Sequence, residues 1–169
     1  SFNISLNKDA SAKYNSFEFG GGFVRNDIHT HFDAPNGDCE INSLFIPNGS
    51  QHIDISTMVH HKTPHCSSRQ LVKGILGGNS TAVFRGLANV YKEACKTDAQ
   101  QNNKNLILSP SARVNSIPQL EIYEDDVKCS HGSTTGQIDE EAIFYLRSRG
   151  INKIAALELM IQGFVNEII

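Results

Sequence analysis

The chain has no tryptophan, only two methionines, and no apolar run approaching the length of a membrane span. A transmembrane helix needs roughly 20 consecutive apolar residues. No segment resembles a secretory signal peptide. We therefore expect a cytoplasmic protein without a membrane partner. The chain also lacks an initiator methionine and closes on an apolar helical run, so we expect it to be an excerpt of a longer protein.

Clusters of positive charge are missing as well. The 15 lysines and arginines are spread along the chain, and the formal net charge is −3. Binding of nucleic acid relies on a clustered basic face, so no nucleic-acid partner is expected. The phosphate-binding loop G-x-x-x-x-G-K-[ST] is absent too, and we expect no nucleotide on this chain.

Cysteines are few and far apart. The four are Cys39, Cys66, Cys95 and Cys129, and none forms the C-x-x-C pair of a zinc site. Without a secretory signal, reduced thiols are the default state. Neither a disulfide framework nor a closed four-cysteine metal site is predicted.

From residue 1 to about residue 138, short β-branched runs alternate with turn clusters such as "APNGD" and "PNGS". The runs start about 14 residues apart, or near a multiple of that distance. Two all-β folds fit this pattern: an antiparallel sandwich, or a solenoid whose coils each supply two or more strands. The asparagine-rich segment 100–105 favours the solenoid, in which stacked turns can form ladders of hydrogen-bonded side chains.

The hydrophobic period changes near residue 138. Asp139 is a natural N-cap, Glu140 and Glu141 suit a first turn, and Gly150 is placed to end the helix. Asn152 can cap a second helix with an apolar stripe. That stripe comprises Ile154, Leu157, Ile161, Phe164 or Val165, and Ile168. We expect a β region over 1–138 and a helical region over 139–169, each truncated at its outer end.

Two histidine-rich segments are candidate metal sites. "HHKTPHC" brings His60, His61, His65 and Cys66 together in sequence, but adjacent strand residues point to opposite faces and a proline interrupts the ladder. "IHTHFD" (residues 28–33) contains a histidine pair on one strand face, and nothing in the sequence identifies further ligands. A metal site is the less favoured interpretation of both segments, and a surface histidine pair is favoured for the second.

A third candidate is "DVKCSHG", in which Cys129 and His131 would lie on the same strand face. Thiolate and imidazole are both metal ligands, yet two ligands do not complete a tetrahedral site. A second chain would have to supply the others. The alternative is a small buried thiol beside an ordinary surface histidine.

Three long motifs carry a resemblance to a known family. They are "KTDAQQNNKNL" (96–106), "PQLEIYEDDVKCSHG" (118–132) and "QIDEEAIFYLRSRGI" (137–151). Together they resemble the SufB/SufD family of iron–sulfur cluster assembly proteins. The SufD branch is most similar, because SufB typically carries V/L-E-H-E where this chain has "KCSHG".

The resemblance implies a right-handed parallel β-helix followed by C-terminal helices. It implies a non-catalytic scaffold subunit of the cytosolic SUF complex. Such a subunit pairs with SufB, or with a second SufB/SufD-type subunit, and binds the ATPase SufC. The second helix would be the SufC-docking region.

The resemblance also implies a transient iron or iron–sulfur cluster shared with SufB at the interface between the two subunits. By motif, His131 would be the ligand, acting with a cysteine from SufB, and Cys129 is the weaker candidate. Asp98, Gln100 and Asn103 are expected to satisfy backbone groups of the solenoid turns, and not to act as catalysts.

Two other functions compete with this one. A carbohydrate-active β-helix lyase or hydrolase would need a groove with several carboxylates or an acid pair at a defined separation. The acidic pairs Asp125–Asp126 and Glu140–Glu141 lie at a strand end and a helix start, where no such pair is expected. The third interpretation is a purely structural solenoid in which "CSHG" closes the last coil.

Overall fold

The computed structural model describes residues 1–168. Ten strands and two helices follow one another along the chain. They are β1 (Phe2–Leu6), β2 (Ser11–Glu18), β3 (Phe23–Phe32), β4 (Asp38–Phe45), β5 (His52–His61), β6 (Ser67–Leu76), β7 (Thr81–Val90), β8 (Asp98–Ile107), β9 (Arg113–Ile122), β10 (Lys128–Gln137), α1 (Glu140–Ser148) and α2 (Lys153–Val165).

The strands form two parallel sheets of five, which together make a β-helix of five coils. The odd-numbered strands form one sheet and the even-numbered strands form the other, so each coil supplies one strand to each. Cys39, Ser68, Ala99 and Cys129 stack in register on four successive coils. The predicted parallel β-helix is confirmed, and the antiparallel sandwich is wrong because every pairing in these sheets is parallel.

The interior of the β-helix changes from apolar to polar along its axis. Phe45, Ile55 and Phe84 are fully buried in the apolar cluster of the central coils. On β8, by contrast, the inward side chains Gln101 and Asn103 are polar and nearly fully buried. Burial of polar groups requires hydrogen bonds, and these amides form them with neighbouring coils.

The predicted hydrogen bonds between amide side chains of stacked coils exist, and they lie inside the β-helix. The asparagine-rich segment belongs to strand β8, and its alternate side chains point inward. The Nε2 atom of Gln101 donates to Oε1 of Gln70 on the preceding coil, 3.4 Å away. Strand residues alternate between faces, so an amide at every second position can bond along the stack inside the β-helix.

One corner of the coils repeats a left-handed residue. These residues are Asp9, Asn36, His65 and Lys96, with φ between 58° and 64°. Each donates its backbone N–H to a carbonyl of the next coil. His65 follows Pro64 and is the left-handed, exposed residue of its coil corner. The geometry of the turn therefore accounts for where His65 lies.

Both predicted helix caps are confirmed. The carboxylate of Asp139 accepts hydrogen bonds from the N–H groups of Glu141 and Ala142, and the side chain of Asn152 accepts one from Ala155. Neither helix in residues 1–168 has the length and apolar character that crossing a membrane would require.

The C-terminal part of α2 and the residues after it pack on the outer face of the even-numbered sheet. Val165 and Ile168 are buried there against Leu44 and Ile75. Ile154, at the start of the predicted stripe, is 72% exposed and lies outside this packed cluster. Only the later turns of α2 belong to this packed cluster.

Candidate functional site

Strands β9 and β10 form the last coil of the β-helix. Each pairs within its sheet on one side only, with β7 and β8 respectively. No strand among residues 1–168 pairs with their other edges. The inward side chains of this coil are therefore partly open to solvent, and its backbone edges can accept another strand.

Cys129 and His131 lie on β10 and point into this open end. In register, Cys129 lies over Ala99 and His131 over Gln101, and both of these β8 residues are buried. The prediction that the two side chains share a face is confirmed. Cys129 is half-buried and His131 is exposed.

The surroundings of the two groups differ. Burial raises the pKa of the Cys129 thiol, so this group is a neutral thiol near pH 7 in the absence of a metal. The His131 ring makes no hydrogen bond with the part of the chain that the structure describes. An exposed imidazole with a free nitrogen is available to a metal or to another chain.

A metal at this end would need further ligands. Within residues 1–168, no group of three or more histidine, cysteine, aspartate or glutamate side chains is arranged to hold a metal ion. Cys129 and His131 offer sulfur and nitrogen, the donor types that bind iron in proteins. On their own they could supply only part of a metal site.

The last coil is also braced from inside. The Ser133 hydroxyl donates to Ser116 on β9 at 2.8 Å, which joins the two sheets. Asn105 of β8 donates to the Thr135 hydroxyl at 3.3 Å. These contacts join β10 to β9 on the opposite sheet and to β8 on its own sheet, close to the "CSHG" segment.

The histidines of the segment 60–66 are dispersed by the fold. His61 points inward, where it stacks on Phe32 and its Nε2 atom lies 2.8 Å from the Ser68 hydroxyl. Burial lowers the pKa of His61 to about 3, so the ring is neutral. His60 points outward, and His65 lies at the coil corner.

His60 instead joins the predicted histidine pair on β3. Its ring stacks on that of His31 with centroids 4.8 Å apart and an interplanar angle of 3°. His29 shares the strand face of His31. Burial lowers the pKa of His60, and its Nδ1 atom lies 3.2 Å from the Tyr91 hydroxyl. Within residues 1–168, no third ligand joins this stacked pair to hold a metal ion.

The asparagine-rich strand has the structural role predicted for one of its three named residues. The Asn103 side chain donates to the carbonyl of Val72 at 3.0 Å and so satisfies a buried backbone group. Asp98 and Gln100 lie on the outer face, where Gln100 donates to Asp98 at 3.1 Å. For this pair the prediction is wrong, because strand alternation turns both side chains away from the interior.

One acidic pair lies in the turn before β10, and the other lies at the start of α1. Asp126 forms an exposed ion pair with Lys96 at 2.8 Å, and Asp125 lies beside it in the turn before β10. Glu140 and Glu141 occupy the first turn of α1, where negative charge favours the helix dipole. Asp125 and Asp126 line a surface cleft together with Asp98 and the cations Lys96 and Lys128.

Two features of the site are not apparent from local sequence. Gln101, directly beneath His131, lies 30 residues earlier in the chain. Gly86, on the opposite sheet, leaves the space that the Gln101 amide fills, because a Cβ there would lie 2.2 Å from Nε2 of Gln101. Both relationships depend on the pairing of distant coils.

The comparisons with known proteins point to one family. Residues 1–164 match the SufBD core domain of the SUF system for iron–sulfur cluster assembly. The chain is 46% identical over 165 residues to the iron–sulfur cluster assembly protein SufD of Escherichia coli. That alignment covers 98% of this chain and 39% of the relative.

Further relatives agree. A SufBD family protein of Mycobacterium leprae is 38% identical, over 97% of this chain and 44% of its own length. One from Synechocystis is 43% identical, over 77% of this chain and 29% of its own length. The chain thus spans less than half the length of these relatives. With the matched domain covering nearly every residue, this chain belongs to the SufBD core domain family of the SUF iron–sulfur cluster assembly system.

Proposed function

We propose that this chain is part of a non-catalytic scaffold subunit of the SUF complex, where iron–sulfur clusters are assembled. Family membership and the E. coli relative, whose name assigns it to cluster assembly, support this role. The carbohydrate-active alternative has no support from the relatives. The subunit would act by binding and positioning, and ATP hydrolysis would belong to its partner.

The observation that carries the proposal is the open last coil. Its two free strand edges suit the addition of strands from SufB, or from a second SufB/SufD-type subunit. At the same end, Cys129 and His131 present an incomplete ligand set. A single partner that docks here would both cover the edges and complete the ligands.

His131 is the proposed ligand for iron or the nascent cluster, which is the cargo of the complex, and Cys129 is a secondary candidate. A neutral imidazole binds iron and is released when a proton or a movement of the partner displaces it. This reversibility suits a scaffold that must pass its cluster on. The raised pKa of Cys129 makes it the weaker ligand, because a thiol must lose its proton to bind.

The helical region is the proposed site for SufC. Phe144 on α1 and Ile154 on α2 are 73% and 72% exposed, which is unusual for large apolar side chains. The other end of α2 is fixed to the β-helix by the cluster around Val165. A partner bound to these helices would therefore be attached firmly to the scaffold.

Two matched isoleucine substitutions test the interfaces separately. Ile122 is 43% exposed at the open end of the β-helix, and Ile154 lies on the helical region. The full-length subunit would be co-expressed with SufB and SufC and purified through a tag on this chain. Ile122→Lys is expected to lose SufB and retain SufC, whereas Ile154→Lys is expected to do the reverse. Retention of both partners by both variants would contradict the assignment of these surfaces.

A further inference from the structure

Two corners of the β-helix contain the same three residues, Pro-Asn-Gly. The first is at residues 35–37, between β3 and β4, and the second is at residues 47–49, between β4 and β5. In an Asn-Gly pair, no glycine side chain hinders the backbone nitrogen from attacking Cγ, the amide carbon of the asparagine side chain. Because the reacting residues are the same at both corners, a difference in their reactivity has to come from the surrounding structure.

At the second corner, Asn48 and Gly49 are exposed and their reacting groups lie side by side. The Gly49 N–H donates to Oδ1 of Asn48 at 2.8 Å. Since a C=O bond is about 1.2 Å long, this places the Gly49 nitrogen about 3–4 Å from Cγ of Asn48. Reacting atoms about 3–3.5 Å apart are in a near-attack arrangement. Apart from its chain neighbours, no atom of residues 1–168 lies within 4 Å of the point that a Cβ on Gly49 would occupy.

The other hydrogen bonds of this corner hold its backbone without occupying Cγ of Asn48 or the Gly49 nitrogen. The Asn48 N–H donates to Oε1 of Gln51, and the Gln51 N–H donates back to the Asn48 carbonyl. The Gly49 carbonyl accepts the N–H of Asn79 on the next coil at 2.7 Å. The asparagine side chain is therefore held beside the nitrogen that can attack it.

Asn36 and Gly37, at the first corner, are held differently. The Nδ2 atom of Asn36 donates to the carboxylate of Asp9 on the preceding coil at 2.8 Å. Gly37 is buried, and a Cβ there would lie 2.6 Å from the Phe32 ring. For the same attack, the Asn36 amide would have to leave a charged acceptor, and hydroxide would have to reach a buried glycine.

We infer that Asn48 is a site of spontaneous deamidation and that the fold protects Asn36 from this reaction. Hydroxide removes the Gly49 N–H proton, and the nitrogen bonds to Cγ of Asn48. The bond from Cγ to the side-chain nitrogen breaks, and that nitrogen takes a proton from water and leaves as ammonia. Water then opens the resulting succinimide at either carbonyl, which gives aspartate or isoaspartate.

The reaction would change the corner in two ways. Both products carry a negative charge that asparagine lacks, and isoaspartate also adds a methylene group to the backbone. That backbone joins two coils through the hydrogen bond from Asn79 to the Gly49 carbonyl. The inference does not depend on the function proposed above.

The test compares the two sites within one protein. The full-length subunit would be aged in a mildly alkaline buffer, and peptide mapping by mass spectrometry would follow deamidation at each asparagine. Asn48 is expected to react about tenfold faster than Asn36, a ratio that corresponds to about 1.4 kcal/mol in the barrier. In the subunit unfolded with guanidinium chloride, the two rates should become nearly equal, because both sites are Pro-Asn-Gly.

Asp9→Gly tests the protection of Asn36, since it removes the acceptor and suits the left-handed backbone at position 9. It should accelerate deamidation of Asn36 severalfold and leave the rate at Asn48 unchanged. An unaltered Asn36 rate would contradict the protective role of this hydrogen bond. A folded wild-type subunit in which Asn48 reacts no faster than Asn36 would overturn the inference, and that result requires no variant to fold.

Discussion

The ammonium group of Lys73 lies 2.7 Å from the carboxylate of Glu167, beyond the C-terminal end of α2. The Lys73 side chain is 2% exposed, and its ammonium also donates to the carbonyl of Phe164 at 2.6 Å. A buried cation thus joins strand β6 to the end of the helix, where the helix dipole favours positive charge. The helical region proposed to bind SufC is fixed to the β-helix at this point.

Glu167→Gln should destabilise the subunit by about 1–2 kcal/mol at pH 7, because it leaves the buried ammonium of Lys73 without its carboxylate. The loss is smaller than for a fully buried pair because Glu167 is 53% exposed. Urea unfolding, followed by circular dichroism, measures the change. Lys104→Met is the matched control, since it removes the more exposed partner of Glu167 and should cost under about 1 kcal/mol.

The ion pair between Lys73 and Glu167 also predicts that the folding stability of the subunit decreases in acid. Hydrogen bonds from Lys104 and Lys73 lower the pKa of Glu167 from 4.5 to about 2. The stabilisation from the charged carboxylate is therefore complete above pH 4.5 and is lost as the pH falls toward 2. The difference in stability between wild type and Glu167→Gln should shrink across this window. A difference that stays constant from pH 5 to pH 2 would contradict the role of the ion pair.

The buried His61 predicts a second dependence of folding stability on pH, over a different pH range. Burial lowers its pKa from 6.5 to about 3, so the unfolded chain binds a proton that the folded chain refuses. Stability is complete above pH 6.5 and declines between pH 6.5 and 3, by up to about 1.4 kcal/mol per pH unit. His61→Leu should reduce this slope between pH 6.5 and 4.5, where Glu167 does not contribute and half-buried His60, whose pKa burial also lowers, keeps part of it.

His65→Asn is the control for that experiment. The residue is exposed at a left-handed corner, which asparagine tolerates. Its pH profile should match that of the wild type. If both histidine variants kept the slope, its origin would lie outside His61.

Gly86→Ala should destabilise the β-helix by about 1–3 kcal/mol, because the added methyl group overlaps the Gln101 amide and the Phe84 ring. Thermal unfolding measures the loss. The double variant Gly86→Ala/Gln101→Ala should recover part of it, since the amide no longer fills the space. Equal losses in the single and double variants would show that Gln101 is not the obstacle.

Much of the fold follows from local sequence. The short β-branched runs of the β region include "HIDISTMVHH" and "TAVFRGLANV", which form β5 and β7. Asp139 and Asn152 cap the two helices as their side chains predict. The choice between sandwich and β-helix does not follow, because both place alternate residues inside. It depends on which distant strands pair, and local periodicity carries no information about pairing.

In the candidate site, too, some residues can be predicted from the sequence and others only from the pairing of distant strands. Strand alternation predicts that Cys129 and His131 share a face, and family motifs single out His131. Gln101 receives no such signal, since it becomes a neighbour of His131 only when β8 and β10 pair in register. Local sequence also does not predict that the Gln101 and Asn103 side chains point inward, because polar residues normally favour the solvent face.

The most direct test measures iron and acid-labile sulfide in the full-length complex with SufB and SufC, purified without oxygen. Wild type, His131→Ala and the control His29→Ala would be compared at equal recovery of all subunits. Our account predicts loss of iron and sulfide from an intact complex in His131→Ala alone. Unchanged iron and sulfide in that variant would contradict it and leave "CSHG" as the structural closure of the last coil.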